Sequence, residues 1–234
     1  MSRRFGIISA LPAEAGSYAG VPLSPGLHAS TSTIIRVCGM GAARAAQAAR
    51  ETLQHGAQSL ISWGVAAALD PLLRSGDIIV PRCILMDGKN LPVDGALSAG
   101  LRRHWRGVPL HDGALWHSPV VLADADKKLA VHTRTGAIAA DMESGAIAAA
   151  AAEAGAPFLA VRVIVDAQAM TLPAPAVKGV DAYGRVRILD FLRALWREPG
   201  SIGPLITLGG AFHRARGRLR AIAPALQAAL AESP

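Results

Sequence analysis

Gly136-Ala-Ile-Ala-Ala-Asp-Met-Glu-Ser144, running on through Gly155 into Pro157-Phe-Leu-Ala-Val-Arg-Val-Ile-Val-Asp166, decides the fold class. The apolar run Gly136–Ala140 predicts a short strand. Asp141 then caps a helix over Met142–Ala154, closed by Gly155. Pro157–Val165 is rich in β-branched residues and reads as a buried strand that ends at Asp166. Strand, helix and strand in this order form the unit from which parallel sheets are built.

The rest of the chain repeats the theme. Phe5–Leu11 reads as a buried strand stopped by Pro12, and Thr33–Cys38 as a second strand ended by Gly39-Met-Gly41. Ala42–His55 predicts a helix closed by Gly56. Ser59–Trp63 and Asp77–Val80 are two more apolar strands. Residues 86–115 show no clear period and read as loops and short pieces. Helices are expected near Val186–Trp196 and Leu205–Leu230, the second broken by Pro224. With no internal repeat and no linker, the alternation argues one α/β domain over residues 1–234 with a largely parallel sheet. Its last part, about 205–234, is a basic helical segment.

Composition sets the outer bounds. Hydrophobic residues make up 51% and charged residues 18% of 234 positions, which excludes a disordered or collagen-like chain. The hydrophobic share owes much to 47 alanines, and no apolar run reaches the ~18–20 residues of a bilayer span. Ser2-Arg3-Arg4 imitates the basic start of a secretory signal. The apolar stretch behind it is short, however, and leads into Pro12 and Glu14 without a clear cleavage site. Cys38 and Cys83 belong to no CxxC pair, so a reduced, cytoplasmic protein is expected. The seven histidines show no metal-ligand spacing, and neither a metal nor an organic cofactor is implied.

The net charge of +7 is uneven: from Lys178 onward nine Lys/Arg face four acids. Arg214-Ala-Arg-Gly-Arg-Leu-Arg220 is the densest block. Such a segment reads first as a solvated face of a terminal helix, and it also suits peripheral contact with the anionic inner face of a membrane. With few aromatics nearby and no recognisable motif, nucleic acid is not expected as a partner.

In open α/β sheets ligands bind outside the carboxyl ends of the strands. Three acids stand near such ends in apolar company: Glu14, Glu143 and Asp166. An acid beside apolar packing is where a raised pKa and acid–base chemistry arise. Each also has a structural explanation. Glu143 complements a helix dipole, Asp166 caps a turn, and Glu14 has the least obvious structural task.

These residues resemble the purine nucleoside phosphorylase and methylthioadenosine/S-adenosylhomocysteine nucleosidase superfamily. The matching pieces are Gly6-Ile-Ile-Ser-Ala-Leu-Pro-Ala-Glu14, Cys38-Gly-Met-Gly41, Gly64-Val-Ala-Ala-Ala-Leu-Asp-Pro71 with Gly76-Asp-Ile-Ile-Val80, Asp141-Met-Glu-Ser144 and Pro157–Asp166. Thr135–Glu143 and Asp181-Ala-Tyr-Gly-Arg-Val-Arg187, with the basic tail, are similar to the hopanoid-associated phosphorylase branch, linked to removal of adenine from adenosylhopane. The resemblance implies a three-layer αβα sandwich with a twisted, mostly parallel central sheet, and a homo-oligomer such as a dimer.

The resemblance also implies roles. Asp166 would protonate or hydrogen-bond N7 of the departing adenine, and Glu14 would deprotonate an attacking water. Glu143 would accept hydrogen bonds from ribose hydroxyls, with Met142 packing beneath the sugar. Gly64, Val65, Val121 and Leu122 would complete the substrate site. Three departures stand out: Ala67-Ala68 replaces a usual Gly-Gly, Val65 a common serine, and Val165 the serine before the aspartate. The loop after the first strand, Pro12–Gly20, contains no basic residue, and Val65 lacks a hydroxyl. Arg44 and Arg74 are the only nearby cations, and both also read as surface residues, while Glu14 would repel phosphate and suits water activation. Hydrolysis is therefore expected over phosphorolysis, with phosphate as the alternative co-substrate. The expected partner is a small-molecule or lipid-linked adenine nucleoside. A soluble methylthioadenosine/adenosylhomocysteine nucleosidase and a catalytically silent ligand-binding homologue are the competing readings.

Overall fold

The computed structural model describes residues 4–232; Ser2, Arg3 and the last two residues of the basic tail lie outside them. The chain opens with β1 (Phe5–Ser9), α1 (Pro12–Ala19), β2 (Gly26–Ala29), β3 (Thr33–Val37), α2 (Ala42–Gln54) and β4 (Ser59–Ala68). Next come β5 (Ile78–Ile79), β6 (Cys83–Met86), β7 (Lys89–Pro92), α3 (Gly95–His104), β8 (Leu110–His111) and β9 (Leu115–His117). The last part holds α4 (Ala125–Thr135), β10 (Ala139–Asp141), α5 (Ser144–Glu153), β11 (Phe158–Ile164), α6 (Ala174–Lys178), α7 (Ile188–Arg197) and α8 (Ile202–Ala231).

The sheet is mixed and mostly parallel. β1 lies parallel between β3 and β4, and β11 runs parallel along β4 from Leu60 to Ala66. The long β4 then reaches β10, with Ala67 opposite Ala140 in an antiparallel pair. It thereby joins the β1–β3 half to the β10–β9–β6–β7 half.

Side chains alternate between two cores. Ile8, Leu60, Phe158, Ala160 and Ile164 pack with α2 and α5 on one face. Ile7, Ile61, Leu159, Val161 and Val163 pack on the other, against Leu97 and Leu101 of α3 and Ala215, Leu219 and Leu226 of α8. Helix, sheet and helix make the three-layer α/β arrangement.

Several segments differ from the sequence expectation. Pro12–Gly20, read as a loop, holds helix α1, with Pro12 at its start and Gly20 in the left-handed region (φ 76°) at its end. Residues 86–115, read as loops and short pieces, contain β7, β8 and the ten-residue α3. Asp94 caps α3 by accepting from Leu97 N, and Leu97, Leu101 and Trp105 recur every four residues on its buried side. Pro224 does not break α8, which runs unbroken over thirty residues. The proline removes one N–H on the exposed side, while Ile222, Ala223 and Leu226 hold the inner side to the core. Among the described residues no helix is long and apolar enough to cross a membrane.

Candidate active site

A cavity of about 570 Å3 opens where β1, β4, β10 and β11 end. Ala10 and Leu11 follow β1, Val65–Ala67 come from β4, Ala140–Glu143 from β10 and its turn, and Val165 and Asp166 follow β11. The parallel strands β1, β4 and β11 leave their following residues facing one crevice. β10, antiparallel to the end of β4, brings its own turn to the same place, which is why acids distant in sequence meet here.

Glu14 sits in the first turn of α1 and is 4% exposed. Its Oε2 accepts from Leu11 N (2.9 Å) and its Oε1 from Val65 N (2.9 Å). Gly64 lies beneath it rather than on the cavity wall: a Cβ there would fall 2.6 Å from Glu14 Oε1 and 3.1 Å from an Arg162 nitrogen. Glycine at 64 is therefore a space requirement of the carboxylate. Burial raises the Glu14 pKa, opposed by the nearby Arg162 guanidinium and the two N–H donors.

Glu143 accepts from Gly41 N through Oε1 at 2.8 Å, tying the turn after β3 to the turn after β10. Burial, with Asp141 and Glu14 adding negative charge, lifts its pKa to about 8; Gly41 N–H and Arg162 oppose this. Arg162 shares the face of Phe158, Ala160 and Ile164, yet carries a charge into that core. It is satisfied there: Nε donates to Asp141 Oδ2 at 2.7 Å, and Nη2 donates to the hydroxyls of Ser62 (2.6 Å) and Ser144 (3.0 Å). Asp141 also accepts from Ser144 N, which fixes the first turn of α5. This buried cation sits behind both Glu14 and Glu143.

Asp166 pairs with Lys128 of α4, its Oδ2 lying 2.5 Å from Nζ. Lys128 is fully buried, and its other two donors go to the carbonyls of Ala167 and Met170. Burial raises the Asp166 pKa, with Lys128 acting against it. The arrangement thus holds three buried carboxyls with pKa values above the ordinary range. Such groups can keep and hand over a proton near neutrality.

Of the residues singled out from sequence, Glu14, Val65, Val121, Leu122, Met142, Glu143 and Asp166 line the cavity together. Arg44 does not: it borders a separate cleft beside Arg36 and Tyr183, and Arg74 is exposed on another loop. Among the described residues no lysine or arginine lines the cavity. Sequence reading missed Lys128, whose α4 was not foreseen. It also passed over Arg162, although a lone charge inside an apolar strand signals a buried partner. A third omission is the apolar part of the lining, where Leu172, Pro175, Phe191, Leu205, Leu208 and Phe212 make the cavity strongly apolar.

Glu143 gives a prediction on stability. Its folded pKa near 8 lies above the ordinary 4.5, so the unfolded chain loses this proton first. Stability therefore falls as pH rises from 4.5 to about 8, because only the folded state still holds the proton. Glu143→Gln keeps the acceptor for Gly41 N and removes the titration. Its Tm should exceed that of the parent by a few degrees above pH 8, and the gain should vanish below pH 4.5. Thermal unfolding across pH checks this, and a variant less stable at alkaline pH would contradict it.

The family model described as "Phosphorylase superfamily" matches residues 4–194. No curated protein sequence matches the chain. Among solved structures, an S-adenosylhomocysteine nucleosidase from Streptococcus pyogenes, in complex with 5-methylthiotubericidin, superimposes with a TM-score of 0.70 at 21% identity, covering 97% of this chain and 96% of that one. A 5′-methylthioadenosine/S-adenosylhomocysteine nucleosidase from Neisseria meningitidis, in complex with methylthio-immucillin-A, gives 0.71 at 14% identity over 96% and 98%. Futalosine hydrolase of Helicobacter pylori gives 0.72 at 13% identity over 97% and 98%. At these identities the likeness establishes a shared fold.

Proposed function

This chain belongs to the phosphorylase superfamily, an enzyme family, and we propose that it hydrolyses the N-glycosidic bond of an adenine nucleoside with a large apolar 5′ substituent. One observation supports this most: three buried carboxyls line a single cavity together with the apolar side chains of Leu172, Phe191, Leu205 and Phe212. Proton-bearing carboxyls suit a nucleoside, and an apolar lining suits a hydrocarbon tail. Adenosylhopane, the lipid nucleoside of hopanoid synthesis, has this chemistry and is the proposed substrate.

In the proposed reaction Asp166 gives its proton to N7 as the bond from the ribose anomeric carbon to N9 breaks. The electron pair leaves with adenine, and the ribosyl centre becomes oxocarbenium-like. Glu143 accepts from the ribose hydroxyls through the oxygen not used by Gly41, and Met142 packs below the ring. Glu14 takes the proton of the water that adds to the anomeric carbon. That no lysine or arginine among the described residues lines the cavity supports water over phosphate as nucleophile. The Arg162 guanidinium, committed to Asp141, Ser62 and Ser144, is not free to bind an anion.

Free adenine released from adenosylhopane in detergent, beside methylthioadenosine and each with and without phosphate, tests the proposal. Release from the lipid nucleoside, unchanged by phosphate, is expected. Release from methylthioadenosine alone would make this an ordinary soluble nucleosidase. A strict phosphate requirement would make the reaction phosphorolysis, and no release from either would favour a silent binding protein.

A further inference from the structure

Helix α7 carries a wider apolar arc than the fold covers. Phe191 and Ala194 turn inward, Phe191 onto the cavity, while Ile188 (68% exposed), Leu189 (78%), Leu192 (53%) and Trp196 (86%) face solvent. Ile202 and Ile206, at the start of α8, are also exposed. Val120, Val121 and Val186 are partly exposed residues of the cavity wall and mark its mouth. Exposed apolar side chains grouped in this way mark an interaction site. On the polar flank of α7, Arg187 and Arg193 are largely exposed around Asp190, with Arg185 and Arg197 beside them.

Resting on the reading that the cavity takes an apolar-tailed nucleoside, we propose that α7 and the start of α8 dock the chain onto an anionic lipid bilayer and set the cavity mouth against it. The face has what an interfacial helix needs: an apolar stripe to enter the acyl boundary, arginines at its edge for lipid phosphates, and a tryptophan at the rim. A second copy of this chain fits less well. A two-fold interface would bring the four arginines against their own counterparts, whereas lipid phosphates complement them. This face is distinct from the Arg214–Arg220 block, the basic segment for which the sequence offered a membrane contact beside a solvated helix face. That block begins eight residues, about 12 Å, beyond Ile206 along α8, and no large apolar side chain is exposed within it.

The test is co-sedimentation of the full chain with phosphatidylcholine vesicles with and without phosphatidylglycerol, in the absence of any nucleoside. Binding to the anionic vesicles is expected, weakened by salt. A blue shift and bromolipid quenching of tryptophan emission should accompany it. Trp63 and Trp105 are buried and Trp116 is half-buried, so this signal reports chiefly on Trp196. The triple variant Leu189→Ser, Leu192→Ser, Trp196→Ser should lose at least about tenfold in partitioning, with adenine release from a short soluble nucleoside unchanged. Replacing Arg216 and Arg218 by Gln should cost no more than about twofold. Absent vesicle binding, or a triple variant that binds as the parent does, would overturn the proposal. So would a dimer that only the triple variant breaks, formed by a parent that ignores vesicles. Because no nucleoside is present, failure here leaves the proposed reaction standing. An enzyme that docks but releases no adenine would refute the reaction alone.

Discussion

Asp166→Asn should lower adenine release by about 10^3-fold at neutral pH, within the usual range for loss of a general acid. Nucleoside affinity should stay within a few-fold. The amide can still donate a hydrogen bond to the base, but it cannot deliver a proton. The wild-type carboxyl can, because burial keeps its pKa above the ordinary aspartate value despite the Lys128 ammonium at 2.5 Å. The same balance fixes a second arm of the test. Lys128→Met removes the group that holds the pKa down, so the alkaline limb of the rate profile should move to higher pH. Rate measured against pH for both variants decides the matter. An Asn variant retaining a tenth of the parent activity would remove Asp166 from the proposed chemistry.

Arg162→Met should lower the unfolding free energy by about 3–5 kcal/mol, the cost of leaving a buried charge without its partner. Asp141 is 6% exposed, and among the described residues the donors left to its carboxylate without the guanidinium are Ser144 N–H and Oγ–H. Replacing Asp141 by Leu in the same chain should recover part of the loss, since the uncompensated charge is then gone. Glu14 and Glu143 would also lose a cation that lowers their pKa values, so both carboxyls should hold protons to still higher pH. Urea unfolding of the single and double variants measures the first effect. A loss under about 1 kcal/mol for the single variant would show that the network does not hold the strand ends together.

The parts of the fold that could be read from sequence were those with strong local patterns. Phe158–Ile164 and Ser144–Glu153 lie inside the segments expected from their β-branched and alanine-rich runs. Helix α1 escaped because eight residues with Pro12, Gly16 and Gly20 look like a loop. Its Pro-first, Gly-last arrangement was nevertheless present. Helix α3 escaped because Gly95 and Gly100 blur a spacing that only three side chains carry. Pro224 misled in the opposite direction: packing of Ile222 and Leu226 outweighs one missing helical N–H. At the site, the acids beside strand ends were visible because sheet topology brings such ends together. Lys128 was not, because nothing local distinguishes a lysine that points inward at Asp166 from its neighbour Lys127. The apolar lining was hidden for a similar reason. Leu172, Phe191 and Phe212 lie forty residues apart at their extremes and meet only through α6, α7 and α8.

The most direct measurement is kcat/KM for adenine release along a series of 5′-alkylthioadenosines of growing chain length, in phosphate-free buffer. If the acids cut the bond while the apolar wall holds the tail, kcat/KM should climb about tenfold for roughly every two methylenes that enter the cavity, at ~0.8 kcal/mol each. Efficiency that falls with chain length, or release that begins only when phosphate is added, would contradict a hydrolytic site built for an apolar-tailed nucleoside.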